Sequence, residues 1–302
     1  MGMKPLLSII IADTSGQPEI VACLSALEKQ MVDDRFEVIV VEPAGSAMTE
    51  TLRKRFEWVR NVPATPDESI PQMLVAGLAT SQADIVAVLE DHEIVLPGWC
   101  EAVLSFHRTH PEVVAIAGPI DNGCVDRLID WAAFFCEYCK FMSPIQANET
   151  EFLPGHNVTY KRKALETGSL EAMSNGFWDS ALHPELRRRG FKFRMEPNLR
   201  VLHQKQFGFF EFIEQRFLYS RYYAGSLVRD RSFFYRAAYS FACLGLPVIL
   251  LHRILSCGFA KRMFQKELLL STPFLMTFTL VWAFGEMVGS LFGRGASLAS
   301  IR

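Results

Sequence analysis

The sequence predicts an α/β protein: a mostly parallel sheet flanked by helices, followed by apolar helices at the C-terminus. Three observations predict it. Short runs rich in Val and Ile alternate with segments of helical period through the first two thirds of the chain. The run at 85–89 passes directly into Glu90-Asp91-His92-Glu93, four consecutive groups that can bind a proton or a cation. Beyond Phe207 the composition turns strongly apolar and aromatic.

The elements follow in order. Residues 6–12 read as a strand buried on both faces, and Asp13-Thr14-Ser15-Gly16 as a turn. Ile20, Leu24, Leu27 and Met31 recur at helical spacing, predicting a helix over 18–30. A second strand over 36–41 ends at Glu42-Pro43-Ala44-Gly45-Ser46. A helix over 47–56, a short strand over 58–62 and a helix over 72–80 precede the strand at 85–89. Pro97-Gly98-Trp99 opens another helix, and 113–117 is a further strand. Strands and helices alternating through short turns imply right-handed crossovers and a parallel sheet.

Neither G-x-G-x-x-G after the first strand nor G-x-x-x-x-G-K-[ST] occurs, which argues against a dinucleotide or P-loop fold. What remains is a nucleotide-binding sheet that holds its ligand with carboxylates and a metal. Ligands of open α/β sheets sit beyond the carboxyl ends of the strands. Carboxylates crowded there repel unless a cation lies among them, so the acidic run suggests a metal-assisted site. A solvated acidic turn is the plain alternative.

Net charge is −2 over 302 residues, and no basic-aromatic stripe is present, so nothing points to nucleic acid. Seven cysteines lack a disulfide-framework spacing. Cys136-x-x-Cys139 stands without a second pair, so packed thiols and a reducing compartment are expected. The N-terminal apolar run is short for a signal peptide, which keeps this part of the chain in the cytoplasm.

Val40-Val41-Glu42 with Gly45-Ser46, Leu89-Glu90-Asp91-His92, Gly155-His156-Asn157 with Lys161-Arg162, and Trp178-Asp179 before Arg189-Gly190 together resemble the family 2 glycosyltransferases. The Glu-Asp-His form followed by Pro-Gly-Trp is similar to a bacterial, membrane-associated subgroup. The resemblance spans roughly 6–203 and implies a GT-A-like fold, an inverting transfer from a nucleotide-sugar donor, and a divalent metal, Mn²⁺ or Mg²⁺. By position, Glu42 is implied at the nucleotide base, with Asp13 beside the same nucleotide. Glu90-Asp91-His92 occupies the place of the family's D-x-D motif, which holds a cation against the diphosphate. His92 is the departure, and Asp91 or Glu93 is the alternative ligand. Imidazole suits Mn²⁺ better than Mg²⁺. Asp179 is implied as the catalytic base, with a helix N-cap as its alternative role. Asn157 and His156 are implied along the donor-sugar or acceptor strip. His203 is implied near the diphosphate or the metal, with a structural strand-end histidine as its alternative, and Gln215-Arg216 either near the diphosphate or on a solvated helix face.

Two apolar stretches, 237–251 and 268–284, lie among Arg229, Arg231, Arg236, Arg253, Lys261, Arg262, Lys266 and Arg294. The first, with Pro247, is short for a span; the second is long enough. Basic residues on every flank leave two membrane arrangements open, a transmembrane hairpin or helices in the cytoplasmic leaflet, with a soluble helical subdomain as the third. The expected organisation is a catalytic domain over 1–206 and a membrane-associated helical region over 207–302. It sits at the cytoplasmic face of the inner membrane and acts on a lipid-linked or cell-envelope acceptor. A nucleotidyltransferase and a non-catalytic membrane partner of the same fold are the rival readings. The first lacks an Arg-rich triphosphate loop after the first strand, and the second is hard to square with Asp91 and Asp179.

Overall fold

The computed structural model describes residues 4–14, 19–30, 35–43, 50 and 53–301. The predicted turn at Ser15-Gly16, the pair Gly45-Ser46 and half of the predicted helix at 47–56 lie outside these. The chain divides into two compact units, 1–121 with 143–204, and 122–142 with 205–302.

The first unit is built on an 8-stranded sheet of order β3-β2-β1-β4-β9-β6-β10-β8. Its left half is the predicted parallel core: β1 (Leu7–Ala12), β2 (Phe36–Pro43), β3 (Val59–Ala64) and β4 (Ile85–Glu90). These strands pair in parallel throughout. Every residue of β1 is buried, which is why its sequence is continuously apolar rather than alternating. Helices α1 (Glu19–Glu28), α2 (Ile70–Thr80) and α3 (Trp99–Thr109) make the crossovers and connections. Ser69 and Gln72 form a capping box at the start of α2, satisfying N–H groups that have no partner within the helix.

The remaining strands are β5 (Glu93–Val95), β6 (Val113–Ala117), β7 (Ile120–Asn122), β8 (Asn148–Thr150), β9 (Val158–Lys161), β10 (Lys192–Met195) and β11 (Val201–His203). The segment after Gly155, which the sequence shows only as a lead into a small helix, is β9. It runs antiparallel between β4 and β6 at the centre of the sheet. Four residues with one polar end carry too little periodicity to announce a strand. β5, β11 and β7 form a second, 3-stranded sheet. Next come the short helices α5 (Arg162–Leu165) and α6 (Leu170–Asn175), then α7 (Trp178–Arg188), which ends at Gly190 with φ 82°.

The second unit is helical: α4 (Leu128–Tyr138), α8 (Phe209–Leu227), α9 (Phe233–Ala242), α10 (Leu246–Lys261), α11 (Gln265–Phe292) and α12 (Ser297–Ser300). A 3₁₀ turn at Cys243–Gly245 joins α9 to α10, so the first apolar stretch lies in a helical run over 233–261, longer than its apolar centre. Pro247 sits at the start of α10, where its missing N–H costs nothing. Only 262–264 connect α10 to α11, giving a tight helical hairpin. By length and composition both 233–261 and 265–292 are able to cross a membrane.

Helices α8 and α11 approach closely through small residues. A Cβ on Gly285 would lie 2.0 Å from Ser220 Oγ, and one on Gly289 2.2 Å from the Arg221 carbonyl oxygen. Gly285 and Gly289 form a G-x-x-x-G step, the spacing that lets apolar helices meet backbone to backbone. The same unit closes its charges internally. Arg216 is buried, pairs with Glu137 at 3.0 Å and lies between the rings of Tyr219 and Trp282. It therefore neither reaches for a diphosphate nor sits on a solvated face. Glu286 accepts from Tyr239 Oη at 2.5 Å and Trp282 Nε1 at 2.8 Å. Cys136 and Cys139 are buried thiols, and none of the described cysteines forms a disulfide.

Candidate active site and metal centre

Register places the acidic residues. Ala12 lies opposite Val41 on one side and Glu90 on the other, so Asp13, Glu42 and Asp91 come next, level with one another beyond the sheet. All three are buried. The Asp13 N–H donates to the Val41 carbonyl at 2.8 Å, which holds its backbone in line with β2. Burial of such a row is unfavourable unless positive charge lies near it.

That charge comes from imidazoles. β11 pairs antiparallel with β5, His203 opposite Glu93, and the Gln204 N–H donates to the His92 carbonyl at 2.9 Å. This pairing carries His203 from far along the chain to the end of β4. His92 Nε2 is 2.9 Å from His203 Nε2. Around Glu90 Oε2 stand His92 Nε2 at 3.1 Å, His156 Nε2 at 3.5 Å and His203 Nε2 at 3.5 Å.

The ring nitrogens facing away are held too. His92 Nδ1 lies 2.5 Å from Asp91 Oδ1, and His156 Nδ1 2.8 Å from Glu93 Oε1. Glu93 is fully buried, and its other oxygen accepts from the Glu90 N–H at 3.0 Å. Asp91 and Glu93 thus turn to the backs of the imidazoles rather than into the cluster. A carboxylate at Nδ1 fixes the tautomer and aims Nε2 forward.

Without a cation, protons fill the role. Burial disfavours an imidazolium at His92, but Glu90 and the Asp91 hydrogen bond outweigh it and raise its pKa to about 10. His156 is raised to about 9 against the same burial by Glu90 and Glu93. His203, buried and facing His92, is lowered to about 3 and stays neutral. Burial would raise the Glu90 carboxyl; the His156 and His92 charges bring it well below its usual range.

The donor set fits a divalent transition ion. The Glu90 carboxylate and one ring nitrogen each from His92 and His203 all lie within 4.8 Å of one another. Two imidazoles and one carboxylate suit Mn²⁺ and its neighbours in the first row; Mg²⁺ prefers oxygen. A cation entering here displaces imidazole protons. Glu90 and His92 are two apart, the first and third positions of the motif, and that spacing was the signal for a shared direction at a strand end. His203 carries no such local signal.

Asn157 faces inward. It is fully buried with φ 46°; its Oδ1 accepts from Trp99 Nε1 at 3.0 Å, and Nδ2 donates to the Pro119 and Leu199 carbonyls at 3.1 and 2.7 Å. These bonds brace the loop that presents His156. Asn is among the few side chains that tolerate a positive φ, which suits it to that corner.

Asp179 lies in the first turn of α7, and Phe177 takes the N-cap position instead. Asp179 Oδ1 accepts from the Ser180 N–H at 2.8 Å. A Cβ on Gly155 would lie 3.7 Å from its carboxylate carbon, so the 155–157 loop runs past this carboxylate. Its charge also reaches Tyr160, whose hydroxyl pKa is raised first by burial and then by Asp179. Trp178 is buried, with Nε1 donating to the Met173 carbonyl at 3.1 Å; it fills the core.

Comparison with known proteins agrees with this architecture. Residues 8–168, more than half of the chain, match the family described as Glycosyl transferase family 2. Among solved structures, the mannosyltransferase PcManGT from Pyrobaculum calidifontis, in complex with GDP-Man and Mn²⁺, superposes with a TM-score of 0.56 at 14% identity. The likeness covers 94% of this chain and 87% of that one, and at this identity it speaks for the fold. No curated protein sequence matches the chain. With the GT-A-like sheet and the match across β1 to α5, the chain belongs to glycosyl transferase family 2 and is a glycosyltransferase.

Proposed function

We propose that the protein is a metal-dependent, inverting glycosyltransferase that takes a sugar from a nucleotide-sugar donor to a lipid-linked or cell-envelope acceptor at the cytoplasmic face of a membrane. The observation that carries this reading is the convergence of Glu90, His92 and His203 beyond the sheet, beside buried Asp13 and Glu42. Residues 1–206 supply the catalytic part and 207–302 the membrane seat, joined there by 122–142.

Glu90, His92 and His203 would hold the cation, with Asp91 and Glu93 steadying the His92 and His156 rings from behind. Bound there, it would supply positive charge against that growing on the departing diphosphate. Asp13 and Glu42 bind the nucleoside. Asp179 takes the proton of the acceptor hydroxyl as its oxygen bonds to the anomeric carbon. The bond to the diphosphate breaks on the opposite face, and its electron pair leaves with the nucleoside diphosphate. GDP-mannose, named in the archaeal complex, is the first donor to try.

A panel of nucleotide sugars with Mn²⁺ and with Mg²⁺ tests the reading. Turnover with one donor, at least as fast in Mn²⁺, and a product of inverted anomeric configuration by NMR are expected. Full turnover in chelator, or retained configuration, overturns it. Carbonate extraction tests the membrane seat: the protein should stay in the pellet.

A further inference from the structure

The second unit holds a cluster of arginines outside the site described above. At the C-terminal end of α11, Arg221 Nε donates to the Gly293 carbonyl at 3.2 Å, and Arg236 Nε to the Ser290 carbonyl at 2.7 Å. Arg236 also bonds the Leu291 carbonyl. These contacts cap a helix end whose carbonyls lack partners, and its dipole favours cations. They do not account for Arg229. Beside them is a cavity of about 370 Å³ lined by Gly225, Arg229, Arg236, Phe292, Gly293 and Arg294. Among the described residues its lining carries the guanidiniums of Arg229, Arg236 and Arg294 and no carboxylate. Among the described residues the Arg229 side chain makes no hydrogen bond or ion pair.

We propose that this cavity binds the phosphate group of an anionic lipid. Guanidiniums around one space repel each other and match the oxygens of a phosphate two at a time. The volume is within the range of small-ligand sites. The surroundings favour a lipid over a free anion: Phe292 on the wall is 75% exposed, and Phe233 and Phe234, just past Arg229 to Ser232, are 68% and 84% exposed. Rings so exposed suit an acyl or interfacial environment, and basic pockets among apolar helices are suited to lipid head groups. The site rests on the membrane-seated reading but not on the transfer reaction or its metal.

The test uses the full chain in neutral detergent, titrated with short-chain phosphatidic acid, phosphatidylcholine and inorganic phosphate. Phosphatidic acid should bind at least tenfold more tightly than the other two. Arg229→Gln should weaken it about tenfold, Arg294→Gln should act likewise, and Arg229→Lys should recover part. Arg253→Gln, an exposed charge on α10 outside the cavity, should leave binding unchanged. An unaltered melting temperature shows that the variants fold, and Arg229 is exposed enough to be replaced without disturbing a core. Unchanged affinity in both Arg229→Gln and Arg294→Gln overturns the proposal. So does an equal loss in Arg253→Gln, which means general basicity, or inorganic phosphate binding as tightly as the lipid, which means a soluble anion. Release of the protein by carbonate with lipid binding intact would sink the membrane seat and spare the pocket.

Discussion

The two units bury polar groups in opposite ways. The first gathers Asp13 and Glu42 beyond a sheet edge beside Glu90, Asp91 and Glu93, the last three set against imidazoles of which His92 and His156 hold protons. The second pairs its buried charges within itself, Arg216 with Glu137 and Glu286 with Tyr239 and Trp282, while leaving large apolar side chains outside. A group with valence left over marks a place prepared for a ligand. A satisfied set marks a core that must hold in surroundings where water is not the partner.

The largest expected effect tests the first unit's chemistry. Asp179→Asn should lower kcat by about a thousandfold, the range for a lost general base, with donor affinity by calorimetry unchanged. Retained turnover removes Asp179 from the reaction.

Gly289→Leu tests the second unit's closure. Its new Cβ meets backbone 2.2 Å away, so α8 and α11 must separate, at a cost of about 3 kcal/mol read as a lower melting temperature in detergent. Metal binding to the first unit should survive, since the comparison treats that site as self-contained. Loss of both breaks the distinction.

Acid separates His92 and His156, which hold their protons, from the buried histidines that stay neutral, His203 among them. Burial lowers His183 to about 3; burial, Lys161 and His110 do the same for His107. Both stay neutral when folded, while the unfolded chain takes up protons below about pH 6.5. The contribution of these two residues to stability is therefore complete above pH 6.5 and falls with pH down to about 3, by about 2 kcal/mol per residue at pH 5. Denaturant unfolding against pH should show this slope, and His107→Gln should flatten it by one proton.

The smallest effect concerns support behind the cluster. Asp91→Asn should weaken Mn²⁺ binding about tenfold, as loss of a carboxylate behind a ligating imidazole does, whereas His203→Ala should weaken it further. Equal affinities for wild type and Asp91→Asn would make Asp91 a packing residue only.

Much of the site was legible because it is local. Strand β4 and its acidic end are adjacent in sequence, and the helix carrying Asp179 begins with a readable turn. What was not legible depends on pairing at long range. The antiparallel insertion of β9 decides which way Asn157 faces, and β11 beside β5 brings His203 to Glu90. The G-x-x-x-G of α11 was in plain view as letters, but only its facing helix gives it meaning.

By itself, then, the sequence determined the α/β alternation, the carboxylates beyond the sheet and the apolar tail, because each follows from the period or composition of one short stretch. Tertiary structure alone decided that Glu90 and His203 share a centre with His92, that Asp91 and Glu93 stand behind it, and that 122–142 belongs with the C-terminal helices. A side chain's direction at a strand end depends on the register of strands far away in the chain, and one residue of slip would turn it to the other face.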